Sequence, residues 1–205
     1  EGKLNNLNKQ KQEISYKIKY LNDYIEQGGA SSPSVKKVLS NPKLSGIHNT
    51  ISNLVDTNSD YLLALTVALG GAKDYVVVNT PFDAKSAINY LKENNLGRVT
   101  FYPLNVIKPR YVDGDTLSVL TRTNGYIDTF DNIVTYDEKY RNIIKNVLGN
   151  VILVDNIDNA NMISKQINNR YRVVTLSGEV INVGGSITGG KIKTNSIISE
   201  KYELQ

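Results

Sequence analysis

The residues with the most suggestive chemistry lie in the run Val183-Gly184-Gly185-Ser186-Ile187-Thr188-Gly189-Gly190-Lys191. Gly185, Gly190 and Lys191 have the spacing G-x-x-x-x-G-K, which in a phosphate cradle wraps main-chain amides around an anion and reaches it with a lysine. The next position of such a cradle must hold a hydroxyl for magnesium, and here it is Ile192. A strongly apolar helix should follow, whereas residues 192–205 are mostly polar. The match is therefore read as a decoy, and ATP with magnesium is not expected to bind it. Four glycines in seven residues also leave a surface that another main chain can approach where a Cβ would collide. A tight turn within the chain would need the same glycines.

Other candidates for chemistry reduce to structure. His48 is the one imidazole. With Asp56 and Asp60 but no second nitrogen ligand nearby it makes a poor metal site, and no nucleophile motif surrounds it. It reads as a hydrogen-bonding residue at a strand end. The pairs Asp113 with Asp115 and Asp155 with Asp158 lie in polar turn sequences, where Asx turns and helix caps account for them. The absence of cysteine removes thiol catalysis, disulfides and cysteine-bound zinc. No catalytic residue, metal site, cofactor or small-molecule substrate is expected of this stretch.

The elements that position these residues start with a helix. Leu4, Leu7, Lys11, Ile14, Ile18, Leu21 and Ile25 recur three and four apart. That is a narrow heptad seam with one polar member, as in a coiled coil, although an amphipathic helix lying on the core has a similar stripe. Residues 28–33, Gly-Gly-Ala-Ser-Ser-Pro, end it. The 205 residues, 40% hydrophobic, can bury one sizeable core or two small ones. No apolar run approaches the roughly 18 residues of a membrane helix, and residues 1–12 are polar rather than signal-like, so a soluble, cytoplasmic chain with no membrane contact is expected.

The chain then repeats itself. Gly46-Ile47-His48-Asn49-Thr50-Ile51-Ser52-Asn53-Leu54-Val55 aligns without gaps on Gly125-Tyr126-Ile127-Asp128-Thr129-Phe130-Asp131-Asn132-Ile133-Val134, and the register continues through Tyr61 with Tyr140 and Leu69-Gly70 with Leu148-Gly149. Each half reads strand, helix, strand, helix, strand. In the first half these are 47–55, 61–69, 75–78, 83–94 and 98–102; in the second, 127–135, 138–148, 151–155, 159–168 and 172–176, with a hairpin through Ser177-Gly178 into 179–183. The segment 105–124, with Pro109 and Gly114, reads as a boundary rather than core.

Ala68-Leu69-Gly70-Gly71-Ala72, Leu96-Gly97-Arg98-Val99-Thr100-Phe101-Tyr102-Pro103-Leu104, and Val173 to Asn182 running into Gly184-Gly185-Ser186-Ile187-Thr188-Gly189-Gly190 together resemble the hinge domain of structural maintenance of chromosomes (SMC) proteins, bacterial condensin type. Asn79-Thr80-Pro81, where acidic residues are usual, and Val183, where proline is common, depart from the pattern. The resemblance implies an α+β fold of two pseudo-repeated α/β subdomains flanked by antiparallel coiled-coil ends. Its parts are an arm segment (1–27), a junction (28–45), subdomain I (46–104), a connecting segment (105–124), subdomain II (125–190) and the start of the returning arm (191–205).

It also implies a two-fold homodimer joining two coiled-coil arms, with ATPase heads elsewhere in the full protein and a place in the cytoplasm on the nucleoid. The expected dimer interface is Gly184, Gly185, Ser186, Thr188, Gly189 and Gly190. A charge of +4, from 24 basic against 20 acidic residues, permits nucleic-acid contact without requiring it. The resemblance implies basic residues at the hinge-to-coil junction that meet DNA, here Lys191 and Lys193, with Lys108 and Arg110 extending the patch. Tyr111 and Tyr171, beside Arg110, Arg170 and Arg172, could stack on a single strand, the preferred DNA form. A solvated lysine surface is the plain alternative. A single-stranded nucleic-acid module that dimerises incidentally, or a nucleotide-binding domain built on the Gly185 to Lys191 loop, are the competing functions.

Overall fold

The structure, a computed structural model, describes residues 2–26 and 31–192. Helix α1 (Gly2–Glu26) carries the heptad seam. Leu4, Leu7, Ile14 and Ile18 are exposed on it, while Leu21 is buried, so the stripe meets the protein only at its carboxyl end. The expected returning arm lies, from residue 193 onward, outside the described residues. The junction 28–45 holds a helix the sequence reading did not place, α2 (Pro33–Ser40), capped by the Ser32 side chain and started by proline at a position that needs no amide.

The first half follows as β1 (Ile47–Thr50), α3 (Ile51–Leu54), β2 (Asp56–Thr57), α4 (Leu62–Leu69), β3 (Val76–Val78), α5 (Pro81–Glu93) and β4 (Phe101–Pro103). After α6 (Gly114–Leu120) the second half runs β5 (Tyr126–Thr129), β6 (Val134–Thr135), α7 (Arg141–Leu148), β7 (Val151–Val154), α8 (Ile157–Gln166) and β8 (Arg172–Thr175), then adds β9 (Val180–Ile181) and β10 (Ile187–Thr188). This is the expected α+β fold. The halves share one sheet motif, an antiparallel pair followed by a parallel one: β1-β3-β4 in the first and β5-β7-β8 in the second, the latter extended to β10-β9-β8-β7-β5.

The equivalence reaches single hydrogen bonds. Asn49 accepts from Thr50 N–H and the Asn53 amide, and Asp128 accepts from Thr129 N–H and the Asn132 amide. Gly46 and Gly125, both at positive φ, leave room for Asp83 and Asn159, the third residue of α5 and of α8. The expected long strands 47–55 and 127–135 are a correction. Each breaks after four residues into a helical turn, because Thr50 accepts from Asn53 N–H as an N-cap and Thr129 donates its hydroxyl to Asp131.

The short strands beyond these turns join the halves. β2 and β6 pair antiparallel, Asp56 opposite Thr135 and Thr57 opposite Val134. In the repeat Asp56 and Thr135 are counterparts, so an internal pseudo-two-fold axis passes between them. The central core closes around that axis and contains equivalent pairs: Ile51 and Phe130, Val55 and Val134, Leu65 and Ile144, Leu69 and Leu148. Strand alternation sends Val77 and Leu153 inward to this core. Their neighbours Val76 and Val78, and Ile152 and Val154, face outward under α5 and α8, where two satellite clusters form. The connecting segment does more than bound the halves, since Leu120 of α6 is fully buried and Val112 nearly so in the second cluster. Its helix starts at Asp113, whose carboxylate accepts from Thr116 N–H at 2.8 Å as the predicted cap.

The halves differ electrostatically at a buried ion pair. Lys145 Nζ lies 2.7 Å from Asp131 Oδ2, with the side chains 15% and 5% exposed, and Asp131 Oδ1 also accepts from Thr129 at 2.6 Å. The counterparts in the first half are neutral, Ser52 with Thr50 and Thr66. The Asp131 hydrogen bond raises the Lys145 pKa, so the stability that the lysine charge contributes is complete below the ordinary lysine range and is lost as pH climbs past it. Asp131→Ala leaves a buried ammonium and should cost about 3–5 kcal/mol in urea unfolding. Asp131→Ser with Lys145→Thr, the first half's own solution, should recover most of that loss.

Candidate interaction site

The two sheets end in open edges. In the first, Val76 N–H donates to the Thr100 carbonyl and Leu104 N–H to the Val78 carbonyl. That turns the main chain of Tyr102 toward β3 and leaves the amide and carbonyl of Phe101, and the carbonyl of Pro103, on the open side of β4. Proline is tolerated there because no amide is asked of it. The equivalent strand of the second half, β8, has its far side covered by β9, with Val173 opposite Ile181. β4 has no such cover within the described residues.

β10 is the other edge. Asn182 N–H donates to the Ser186 carbonyl and Gly185 N–H to the Asn182 carbonyl, a three-residue hairpin loop that needs a left-handed residue at its end. Alternation from that bond turns the main chain of Ile187 and Gly189 outward. The Ile187 side chain stands opposite Ile181, hence on the sheet face covered by α8, yet is 58% exposed. On the corresponding face of the first sheet, Ile88, Leu91, Leu96 and Val99 line a groove of about 360 Å³ between α5 and the approach to β4.

The glycines divide. Gly184, Gly185 and Gly190 have φ of 88°, 103° and 121°, the first two in the hairpin loop and the third just past β10. Gly189 has ordinary φ, and an added Cβ there would make only normal contact with Glu179. Its glycine is the one that the chain's own conformation does not require. Gly185 and Gly190 flank β10 rather than one curled loop, so no phosphate cradle forms between them. Ser186 and Thr188 are exposed on the hairpin.

Basic residues gather elsewhere. Lys191 is exposed just past β10, and Lys193 lies outside the described residues. Lys108 and Arg110 are fastened to the end of α7: the Asn146 amide donates to the Lys108 carbonyl at 2.9 Å and Arg110 N–H to the Lys145 carbonyl at 3.2 Å. Arg110 there joins Arg170, Arg172, Tyr75, Tyr102 and Tyr171 around a cleft of about 400 Å³ between the carboxyl ends of α4 and α7. The Arg172 guanidinium donates to the Ala68 carbonyl; burial draws its pKa down, but an arginine stays charged. Asp113 holds Tyr171 by a 2.7 Å hydrogen bond and pairs with Arg170 at 3.6 Å. Hydrogen bonds from Thr116 N–H, the Tyr171 hydroxyl and the Thr116 hydroxyl keep its carboxyl well below the usual range.

His48 bridges the halves, one ring nitrogen 2.8 Å from the Tyr140 hydroxyl and the other 2.6 Å from Asn79 Oδ1, the hydrogen-bonding role expected of it. The sequence reading missed the β4 edge and the groove beside it. Pro103 ending a short strand, and isoleucine between exposed glycines, were the available signals. The seat of Arg110 depends on Gly149, where an added Cβ would collide with the carbonyl oxygens of Arg110 and Lys145. Gly149→Ala should therefore cost about 1–3 kcal/mol in urea unfolding, while Gly71→Ala, with nothing within 4 Å, should be near neutral.

Comparison with known proteins agrees with this geometry. The family model described as SMC proteins Flexible Hinge Domain matches residues 44–164. The chromosome partition protein Smc of Bacillus subtilis (strain 168) is 38% identical over 174 residues, which cover 83% of this chain and 15% of that protein. The chain thus spans a small part of that relative's length. The crystal structure of an asymmetric dimer of the Geobacillus stearothermophilus SMC hinge domain superposes with a TM-score of 0.92 at 34% identity, over 99% of this chain and 82% of that one. The Pyrococcus furiosus SMC hinge domain gives 0.66 at 30% identity, over 88% and 94%. Matched over more than half its length by the family model and along nearly all of it by a solved hinge, this chain belongs to the SMC flexible hinge domain family.

Proposed function

We propose that this chain is the homodimerisation hinge of a bacterial chromosome condensation and segregation SMC ATPase, joining two coiled-coil arms and touching DNA without sequence specificity. One observation carries the dimer: opposite β1 and β5, the two sheets end on unlike strands, β4 and β10. A second copy supplies to β4 the neighbour that β9 supplies to β8, and a two-fold arrangement makes that contact twice, pairing β4 and β10 of both copies. Ile187 of one copy then fills the Ile88–Leu91–Leu96–Val99 groove of the other, and Gly189 lets the main chains close. The Geobacillus relative is described as a dimer. The exposed seam of α1 supports the arm, which needs a partner helix along Leu4, Leu7 and Ile14.

Contact with DNA rests on Lys191, Lys108 and Arg110, with Lys193 next in the chain. They would neutralise phosphates regardless of base, and the Arg–Tyr cleft favours a single strand, whose bases are free to stack. No helix among the described residues is long and apolar enough to cross a membrane. The cytoplasmic nucleoid remains our placement of the protein. ATP turnover is assigned to parts of the full protein outside this stretch.

Ile187→Lys should convert the dimer to a monomer in sedimentation at micromolar concentration with a native circular dichroism spectrum, because an ammonium cannot enter a groove whose apolar lining is flanked by Lys92 and Arg98. A dimer that survives this change would mean that another surface joins the copies. Lys191→Glu, Lys108→Glu and Arg110→Glu together should leave the dimer intact and flatten the log–log salt dependence of duplex DNA binding by about two to three units, one for each phosphate no longer neutralised. Fluorescence anisotropy across a salt series reads this directly. An unchanged slope would show these side chains to be merely solvated.

A further inference from the structure

The cleft between α4 and α7 carries more positive charge than its surroundings need. Three guanidiniums face it, from Arg110, Arg170 and Arg172. Asp113 offsets one. The carboxyl ends of the two helices together offset about one more, at roughly half a charge each. About one positive charge is left, and among the described residues neither Arg110 nor Arg172 has a carboxylate within ion-pair distance. Two tyrosine rings, those of Tyr102 and Tyr171, line the same cleft. Uncompensated cations beside aromatic surface suit an anion that also carries a ring.

We propose that this cleft binds a phosphate ester that also carries an aromatic ring, of the nucleoside monophosphate kind. Arg110 and Arg172 hold the phosphate by charge-assisted hydrogen bonds. Tyr102 and Tyr171 provide aromatic surface for the ring of the ester. A volume of about 400 Å³ suits one nucleotide. The Arg110 charge draws down the Tyr102 pKa against the upward pull of burial and of Tyr75, which is consistent with the guanidinium lying close to that ring. The occupant is a ligand and not a substrate, since no nucleophile with a base converges on the cleft among the described residues. The site is separate from the Gly185 to Lys191 run, needs no magnesium, and does not depend on the dimer reading. Its phosphate can belong to a free nucleotide or to a single strand, at its end or within it.

Calorimetry with the 205-residue chain, magnesium-free AMP and low salt tests this, with sedimentation of the same samples reporting the oligomeric state separately. Saturable binding is expected, weakened about tenfold or more by Arg110→Gln, a change that removes an exposed side chain without an ion pair and should leave the fold intact. Inorganic phosphate should bind more weakly than AMP. Competition by a 5′-phosphorylated trinucleotide but not its 5′-hydroxyl form identifies a strand end as the source, competition by both identifies the internal phosphates of a single strand, and competition by neither identifies a free nucleotide. No saturable AMP binding at millimolar concentration, equal affinity in Arg110→Gln, or phosphate binding as tightly as AMP would each overturn the proposal.

Discussion

Everything in this molecule depends on the burial of its two halves against each other across an internal two-fold axis. Leu65 and Ile144, counterparts in the repeat, are both fully buried in one core, as are Ile51 and Phe130. Neither half could close that core alone, since the inward faces of both small sheets, through Val77 and Leu153, end in it. At roughly 25 cal/mol for each Å² of apolar surface removed from water, residues of this size contribute about 1.5–3 kcal/mol apiece, far more than the two-residue β2–β6 ladder that marks the axis. The ladder fixes the register, and burial of apolar surface supplies the affinity between the halves.

That arrangement determines what remains free. Because α4, α7 and the inner sheet faces are committed to the axis, and α5 and α8 to the outer faces, each sheet can offer only an edge. The second half extends its edge by the β9–β10 hairpin and the first half stops at β4. Repetition inside one chain has thus produced two surfaces that differ, and unlike edges are what a closed two-fold pair of chains can join twice over. The departure from exact repetition is informative elsewhere too. The Lys145–Asp131 pair sits beside the segment that seats Arg110, where the first half needs no such anchor and has Thr66 and Ser52 instead.

Much of this was legible in the residues. The internal repeat, the β-branched runs at 76–78 and 151–154, the glycine hairpin and the heptad seam each have a local cause, and local causes leave local patterns. The breaks after Thr50 and Thr129 were hidden because apolar residues lie on both sides of them, Ile47 and Ile51 in one half and Ile127 and Phe130 in the other, and the hydroxyls of Thr50 and Thr129 decide the turn. Helix α6 was passed over because its seven residues are too few to show periodicity, though Asp113 was recognised as a cap. The role of the glycines was only partly readable. Sequence marks all four alike, whereas backbone angle separates Gly184, Gly185 and Gly190, held at positive φ, from Gly189, which is not. The cleft of Arg110, Arg170 and Arg172 was foreseen only as neighbours in sequence, because what gathers them is the approach of a connecting segment to the end of α7, a contact between distant parts of the chain.

The joining of β4 to β10 between copies is tested most directly by amide hydrogen exchange resolved to single residues. Within one chain the amides of Phe101 and Ile187 face the open sides of their strands and should exchange like solvent-facing amides. In the dimer both should become protected, and the protection should fall away together on dilution into the monomer. Rapid exchange at both amides in a sample that sedimentation shows to be dimeric would contradict the edge pairing.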